Sequence, residues 1–166
     1  QYDLPGFEIV VAQERQEEIV TRLAAVGAMV LEDDAAYEAR RIELGRSLPG
    51  AELTGEYSPL EAGLAWACAE NKGCYTGHEI IARQLTYDKV TRTLVGIAGG
   101  DSLTAGTALT AAGREVGTVT SVAYSPLLDS SIALAIVKRP HDAPGTELQV
   151  EGKPVRFVSA KAKELM

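Results

Sequence analysis

The sequence has few of the residues that build metal centres, disulfide scaffolds or membrane spans. Its 166 residues include only two cysteines and two histidines, too few for a disulfide framework or for a convincing metal site. No apolar run approaches the roughly 18 residues that a membrane-spanning helix needs. The opening residues, QYDLP, lack the basic and apolar regions of a signal peptide. A reducing, cytoplasmic compartment is therefore expected.

The chain also lacks an excess of positive charge. Its formal net charge is -7, and the imbalance is confined to one half. Residues 1–90 carry 8 basic and 16 acidic side chains, whereas residues 91–166 carry 8 and 7. An acidic half and a nearly neutral half indicate two units. Neither half has the basic surface that tight electrostatic binding to nucleic acid requires.

The first ninety residues predict a mixed α+β unit. Apolar residues at i, i+4 and i+7 indicate a helix over residues 14–26, a second helix is expected over 34–44, and a third is expected after Thr76. Short β-like runs cover residues 7–11 and 28–31. Strand, helix and strand in this order are typical of an α+β fold.

The pattern changes near residue 92. Short β-like runs separated by turns rich in glycine or proline predict a small antiparallel barrel. The predicted strands cover residues 93–98, 107–110, 116–124, 131–137, 147–150 and 155–159. Because the shift in pattern coincides with the shift in charge, we expect a domain boundary there. One domain would cover residues 1–90 and the other residues 91–166.

The most unusual segment is residues 72–83, KGCYTGHEIIAR. A loop flanked by glycines opens a helix here, and free N–H groups at a helix start can bind an anion. Cys74 lies just before the helix and near Lys72, which favours its thiolate. The same residues also fit a purely structural interpretation. Cys74 can be an inert thiol, Thr76 a helix cap bonded reciprocally to Glu79, and Arg83 the partner of Glu79 in a surface ion pair.

This segment resembles the K-G-C-Y-x-G-Q-E-x-x-x-R signature of the YgfZ family. That family comprises folate-binding proteins related to the glycine-cleavage T-protein, and it is linked to the maintenance of iron–sulfur proteins. The stretches RIELG at 41–45, LPGAEL at 48–53 and PLEAGL at 59–64 resemble further elements of the superfamily. His78 stands where the family usually has Gln, so a ligand contact there would be sensitive to pH.

The resemblance implies a fold and a further part of the same folate-binding domain upstream of this chain. The chain would be the C-terminal part of a folate-binding α+β domain, with a ferredoxin-like α/β sandwich element, followed by a small antiparallel β-barrel. The opening part of the folate domain would lie upstream of this chain. In the related aminomethyltransferases that part holds the catalytic aspartate, so the segment in hand leaves catalysis open.

The resemblance also implies a site for tetrahydrofolate or a related folate. Glu43 would accept two N–H bonds from the amino-pyrimidine edge of the pterin, although without the resemblance a solvated helix glutamate is the favoured interpretation. Cys74 would be a functional thiol in a redox or exchange step. Arg83 would meet the folate carboxylates or an acidic partner, and core packing is the favoured interpretation of Trp66. The implied folate-binding residues are Glu43, Trp66, Lys72, Tyr75 and Arg83.

The resemblance implies three alternative functions. The first is an accessory protein for iron–sulfur cluster assembly or repair, whose partners are cluster-assembly or client proteins and whose effect on tRNA modification is indirect. The second is a folate-dependent one-carbon transferase of the aminomethyltransferase type. The third is a folate-binding module without chemistry. Since one cysteine cannot hold a cluster alone, a cluster role would be shared with a partner.

Overall fold

A computed structural model describes residues 9–31, 33–69, 72–99 and 103–158. Helices precede strands along this part of the chain. The helices are α1 (Gln16–Ala25), α2 (Asp34–Glu43) and α3 (His78–Thr86), with short 3-10 helices at Gln13–Arg15 and Ala65–Ala67. The strands are β1 (Arg92–Gly99), β2 (Ala108–Ala111), β3 (Arg114–Ser125), β4 (Ser130–Lys138), β5 (Leu148–Val150) and β6 (Lys153–Val158).

The six strands close into an antiparallel barrel, as the sequence predicted. Their spatial order is β1-β4-β3-β2-β5-β6, and β6 pairs back to β1. Each predicted barrel strand overlaps an observed one, which confirms the mixed fold with a C-terminal barrel. Inside lies a cluster of buried apolar side chains that includes Ile97, Leu109, Val119, Val137 and Leu148.

Strand β4 is buried on both faces, because the barrel and the helical part use opposite sides of it. Residues 132–137 are all buried. Since side chains alternate along a strand, Ala133 and Ala135 point into the barrel core, whereas Leu134 belongs to a second cluster outside it. Ile42 of α2 packs into this second cluster. Helix α2 therefore lies against the outer face of the barrel.

Helix α2 begins and ends as its sequence indicates. Asp33 caps it, because its Oδ1 accepts a hydrogen bond from the backbone N–H of Ala35 at 2.9 Å. Gly45 follows the last turn with a φ of 65°, a conformation that glycine adopts without strain. These two signals determine where α2 begins and ends, and they place Glu43 at the last position of the helix.

Two local expectations for the first half are wrong. Residues 9–11 and 28–31 form no strand, while residues 7 and 8 of the first predicted strand lie outside the described part. A strand needs a partner for its N–H and C=O groups, and the described residues offer none there. Helix α3 is preceded by Gly77 without a side-chain cap, and Glu79 pairs with Arg83 instead of Thr76.

Within the described part of the chain, no helix is both long and apolar enough to cross a membrane.

Candidate functional site

Glu43 meets the barrel at the end of α2. The hydroxyl of Ser125, the last residue of β3, donates a hydrogen bond to Glu43 Oε1 at 2.6 Å. Arg40 Nη1 donates to the other oxygen, Oε2, at 3.0 Å. Only 11% of the Glu43 side chain is exposed. The Ser125 bond is the main cause of a lowered Glu43 pKa, and Arg40 adds to it while burial opposes it. Glu43 is therefore an ionised, oriented carboxylate.

A second carboxylate, Glu52, is fully buried between the helical part and the barrel. Its Oε1 accepts hydrogen bonds from Thr120 Oγ1 at 2.5 Å and from Ser121 Oγ at 2.6 Å. Its Oε2 accepts from the backbone N–H of Leu48 at 2.9 Å and lies 3.6 Å from Arg41 Nη1. Because a buried charge is costly unless paired and hydrogen-bonded, this set of partners explains why Glu52 is tolerated.

An irregularity in β3 lets adjacent residues reach the same oxygen. Successive side chains of a regular strand point to opposite faces, so Thr120 and Ser121 should diverge. The pairing of β3 with β4 shifts register between Val119 and Ser121. A bulge of this kind bends the strand and re-aims a side chain, and both hydroxyls consequently converge on Glu52.

The PLEAGL element forms a third polar anchor. The backbone N–H of Ser58 donates to Glu61 Oε2 at 3.1 Å, and the backbone N–H of Glu61 donates to Ser58 Oγ at 3.3 Å. Thr91, directly before β1, donates to Glu61 Oε1 at 2.9 Å. This reciprocal arrangement resembles a capping box. Glu61 thus ties the turn at residues 58–64 to the start of the barrel.

The segment around Cys74 forms a separate cluster. Lys72 Nζ lies 5.0 Å from the centre of the Tyr75 ring, and the rings of Tyr75 and His78 are 4.7 Å apart. Cys74 is exposed. Arg83 is also exposed and bonds to Glu79 at 2.5 Å, so the surface ion pair that the sequence allowed is present. The partners of this cluster come from its own segment, whereas those of Glu43 come from α2 and β3.

Trp66 lies at the surface and not in a core. Half of it is exposed, and the Arg46 guanidinium lies 5.5 Å from the centre of its ring. Core packing, the structural interpretation of Trp66, is therefore wrong. The nearby Cys68 is partly buried, and burial raises the pKa of its thiol. The assignment of Trp66, Lys72 and Tyr75 to a folate site stays a prediction.

The sequence interpretation missed the hydroxyl side chains of β3. Thr120, Ser121 and Ser125 each bond to a glutamate that lies at least 68 positions earlier in the chain. The available signal was the run TVTSVAYS at residues 118–125, in which hydroxyl residues crowd a strand that must be largely buried. Buried hydroxyls need hydrogen-bond partners, and the acidic first half of the sequence contains many carboxylates that can accept from them.

The geometry defines a class of protein in which an antiparallel barrel packs against a helical unit through buried glutamates. Residues 92–163 match the family model described as the glycine cleavage T-protein C-terminal barrel domain. The chain is 35% identical over 151 residues to an aminomethyltransferase of Thermus thermophilus, covering 90% of this chain and 41% of that protein. It is 30% identical over 164 residues to the mitochondrial aminomethyltransferase of Mesembryanthemum crystallinum, covering 94% and 40%.

A solved structure extends the likeness to the fold of nearly the whole chain. The glycine cleavage system aminomethyltransferase T from Bartonella henselae superposes with a TM-score of 0.75 at 25% identity, covering 90% of this chain and 44% of that one. Together these matches support the assignment of the chain to the glycine-cleavage T-protein superfamily. The chain spans about two fifths of the length of these relatives, and the YgfZ branch stays a prediction.

Proposed function

We propose that this chain carries the pterin-recognition part of a YgfZ-type protein, which binds tetrahydrofolate and assists iron–sulfur cluster assembly or repair. The observation that carries the proposal is the Glu43 carboxylate, held ionised by Ser125 and Arg40. Each carboxylate oxygen has two acceptor sites, so both oxygens keep one for a ligand. A bidentate, charge-assisted pair with the amino-pyrimidine edge of a pterin fits such a group.

Residues 72–83 supply the remaining chemistry in this proposal. The exposed Cys74 thiol would act in a redox or exchange step, and a cluster would be held jointly with a partner protein because one cysteine is insufficient. The faces of Tyr75 and Trp66 offer stacking surfaces, and Lys72 supplies positive charge beside them. Arg83 would bind the folate carboxylates, since its exposed pair with Glu79 is weak enough to exchange.

The proposed partners are iron–sulfur assembly or client proteins and the N-terminal part of the same protein. Apolar side chains on the surface of the first described segment, residues 9–31, support the second of these partners. The acidic balance of residues 1–90 makes any effect on tRNA modification indirect, through cluster-containing enzymes. We place the protein in the cytoplasm.

A second candidate is a glycine-cleavage aminomethyltransferase, which the names of the matched relatives favour. It would share the folate site but would not need Cys74. A third candidate, a folate-binding module without chemistry, would need neither the thiol nor a catalytic aspartate. Replacing Cys74 by Ala in cells that depend on the protein separates the first candidate from the others. Unchanged activity of cluster-containing enzymes would contradict the thiol mechanism.

Calorimetry with tetrahydrofolate tests the site itself. We expect saturable binding to this chain and loss of binding in Glu43→Ala. Glu18→Ala is the matched control, because it removes an exposed carboxylate that pairs with Arg15 and Arg22, neither of which belongs to the proposed folate site. Equal losses in both variants would contradict the role of Glu43, and the absence of saturable binding to both this chain and the full-length protein would contradict the folate assignment.

A further inference from the structure

Ser125 connects the barrel to Glu43 through two consecutive hydrogen bonds. The backbone N–H of Leu128 donates to Ser125 Oγ at 3.1 Å, and Ser125 Oγ in turn donates to Glu43 Oε1 at 2.6 Å. Ser125 is fully buried and pairs with Ser130 where β3 and β4 meet at their connecting turn. Because Leu128 occupies one acceptor site of the hydroxyl, the hydroxyl proton is directed to the carboxylate.

The other partner of Glu43 is less rigid. Arg40 lies on the same helix, and nearly half of its side chain is exposed, so its ion pair is screened by water and adds little orientation. Ser125 is short, buried and anchored in a strand. Of the two hydrogen-bond partners, Ser125 is therefore the one that can fix the carboxylate in a single orientation, which a bidentate contact requires.

We propose that Ser125 is a positioning residue for Glu43, so that the barrel contributes to folate recognition through this hydroxyl without touching the ligand. The inference rests on the proposed function. It also separates two similar contacts of the same strand. Thr120 and Ser121 hold Glu52, which is fully buried and offers no surface to a ligand. Ser125 holds a carboxylate that keeps an exposed edge.

The pH dependence follows from the charges around Glu43. Arg40 on α2 is the charged group that bonds to it, and β3, the strand packed beside it, contributes the neutral Ser125. The Ser125 bond lowers the Glu43 pKa, so the ionised form that accepts N–H bonds persists to more acidic pH. Loss of the hydroxyl raises that pKa, and ligand binding should then fail at a higher pH as the solution is acidified.

The test compares Ser125→Ala, Ser125→Thr and Ser121→Ala. Affinity for 5-formyltetrahydrofolate, an air-stable folate, is measured by calorimetry between about pH 4 and pH 8, and folding of each variant is checked by NMR. Loss of a hydrogen bond to a charged group predicts about tenfold weaker binding for Ser125→Ala, with its acid limit moved upward. Ser125→Thr, which keeps a hydroxyl, should restore both, and Ser121→Ala should leave the acid limit unchanged.

A second measurement separates this inference from the folate assignment. Carbon-13 NMR of the Glu43 carboxyl without ligand should show a higher pKa in Ser125→Ala than in the unchanged protein or in Ser121→Ala. An unchanged Glu43 pKa, or equal effects of Ser121→Ala and Ser125→Ala on binding, would overturn the positioning role. If the unchanged protein binds no folate while the Glu43 pKa still responds to Ser125, the proposed function fails and the positioning of the carboxylate stands.

Discussion

The barrel and the first described segment have similar apolar side chains but bury them very differently. In the barrel, β4 buries six consecutive residues because the barrel core covers one face and α2 covers the other. In residues 9–31, helix α1 buries none of its residues, and most of Val26 and Met29 is exposed. An amphipathic pattern therefore determines which face a helix can bury, but only a neighbouring element buries it.

The largest expected effect tests this difference with one substitution made in both regions. Leu134 of β4 is 0% exposed, whereas Leu23 of α1 is 40% exposed. Leu134→Ala should lower the free energy of unfolding by about 3 kcal/mol, since it leaves a cavity between barrel and helix. Leu23→Ala should cost less than about 1 kcal/mol. Urea denaturation of the two variants measures both, and similar losses would contradict the difference in burial.

Some of this fold could be predicted from the sequence. The six strands followed from alternation and turn residues, and α2 followed from Asp33 and Gly45, because these signals are local. A strand at residues 7–11 or 28–31 needs a partner strand, and local sequence patterns do not show which segment would pair with it. The same dependence on distant residues limits how much of the site could be predicted. Glu43 and the Cys74 segment were found by motif, whereas Ser125 lies 82 positions from Glu43 and only the fold brings the two together.

The next effect concerns two glutamates that both form ion pairs with arginines. Glu52 is buried among Arg41, Thr120 and Ser121, whereas Glu79 pairs with Arg83 at the surface. Glu52→Gln removes a charge from a buried network, and we expect a loss of about 2 to 3 kcal/mol.

The control is Glu79→Gln, which removes the same charge from an exposed pair and should change stability by less than about 1 kcal/mol. Thermal unfolding at several salt concentrations separates the two cases. The small Glu79 contribution should shrink with added salt, whereas that of Glu52 should persist because the protein shields it. A Glu52→Gln variant as stable as the unchanged protein would show that the buried network adds nothing to stability.

Glycine positions give a third comparison between tight and open parts of the molecule. A Cβ at Gly117 in β3 would lie 2.4 Å from the carbonyl oxygen of Ile136 on the paired strand, while a Cβ at Gly55 would meet no atom within 4 Å. Because the obstacle at Gly117 is backbone, Gly117→Ala must displace β4, and we expect a loss of about 2 kcal/mol. Gly55→Ala should change stability by no more than about 0.5 kcal/mol, and urea denaturation distinguishes the two.

The smallest effect on stability is expected at Cys74, whose side chain is exposed. Cys74→Ala should leave the free energy of unfolding within about 0.5 kcal/mol of the unchanged protein. Reactivity should change far more. Cys68 is partly buried, and burial raises the pKa of its thiol, so iodoacetamide near pH 8 should alkylate Cys74 first. Mass spectrometry of Cys68→Ala and Cys74→Ala assigns each rate, because the chain has only these two cysteines. Equal rates would contradict the exposed position of Cys74 on which its proposed exchange step depends.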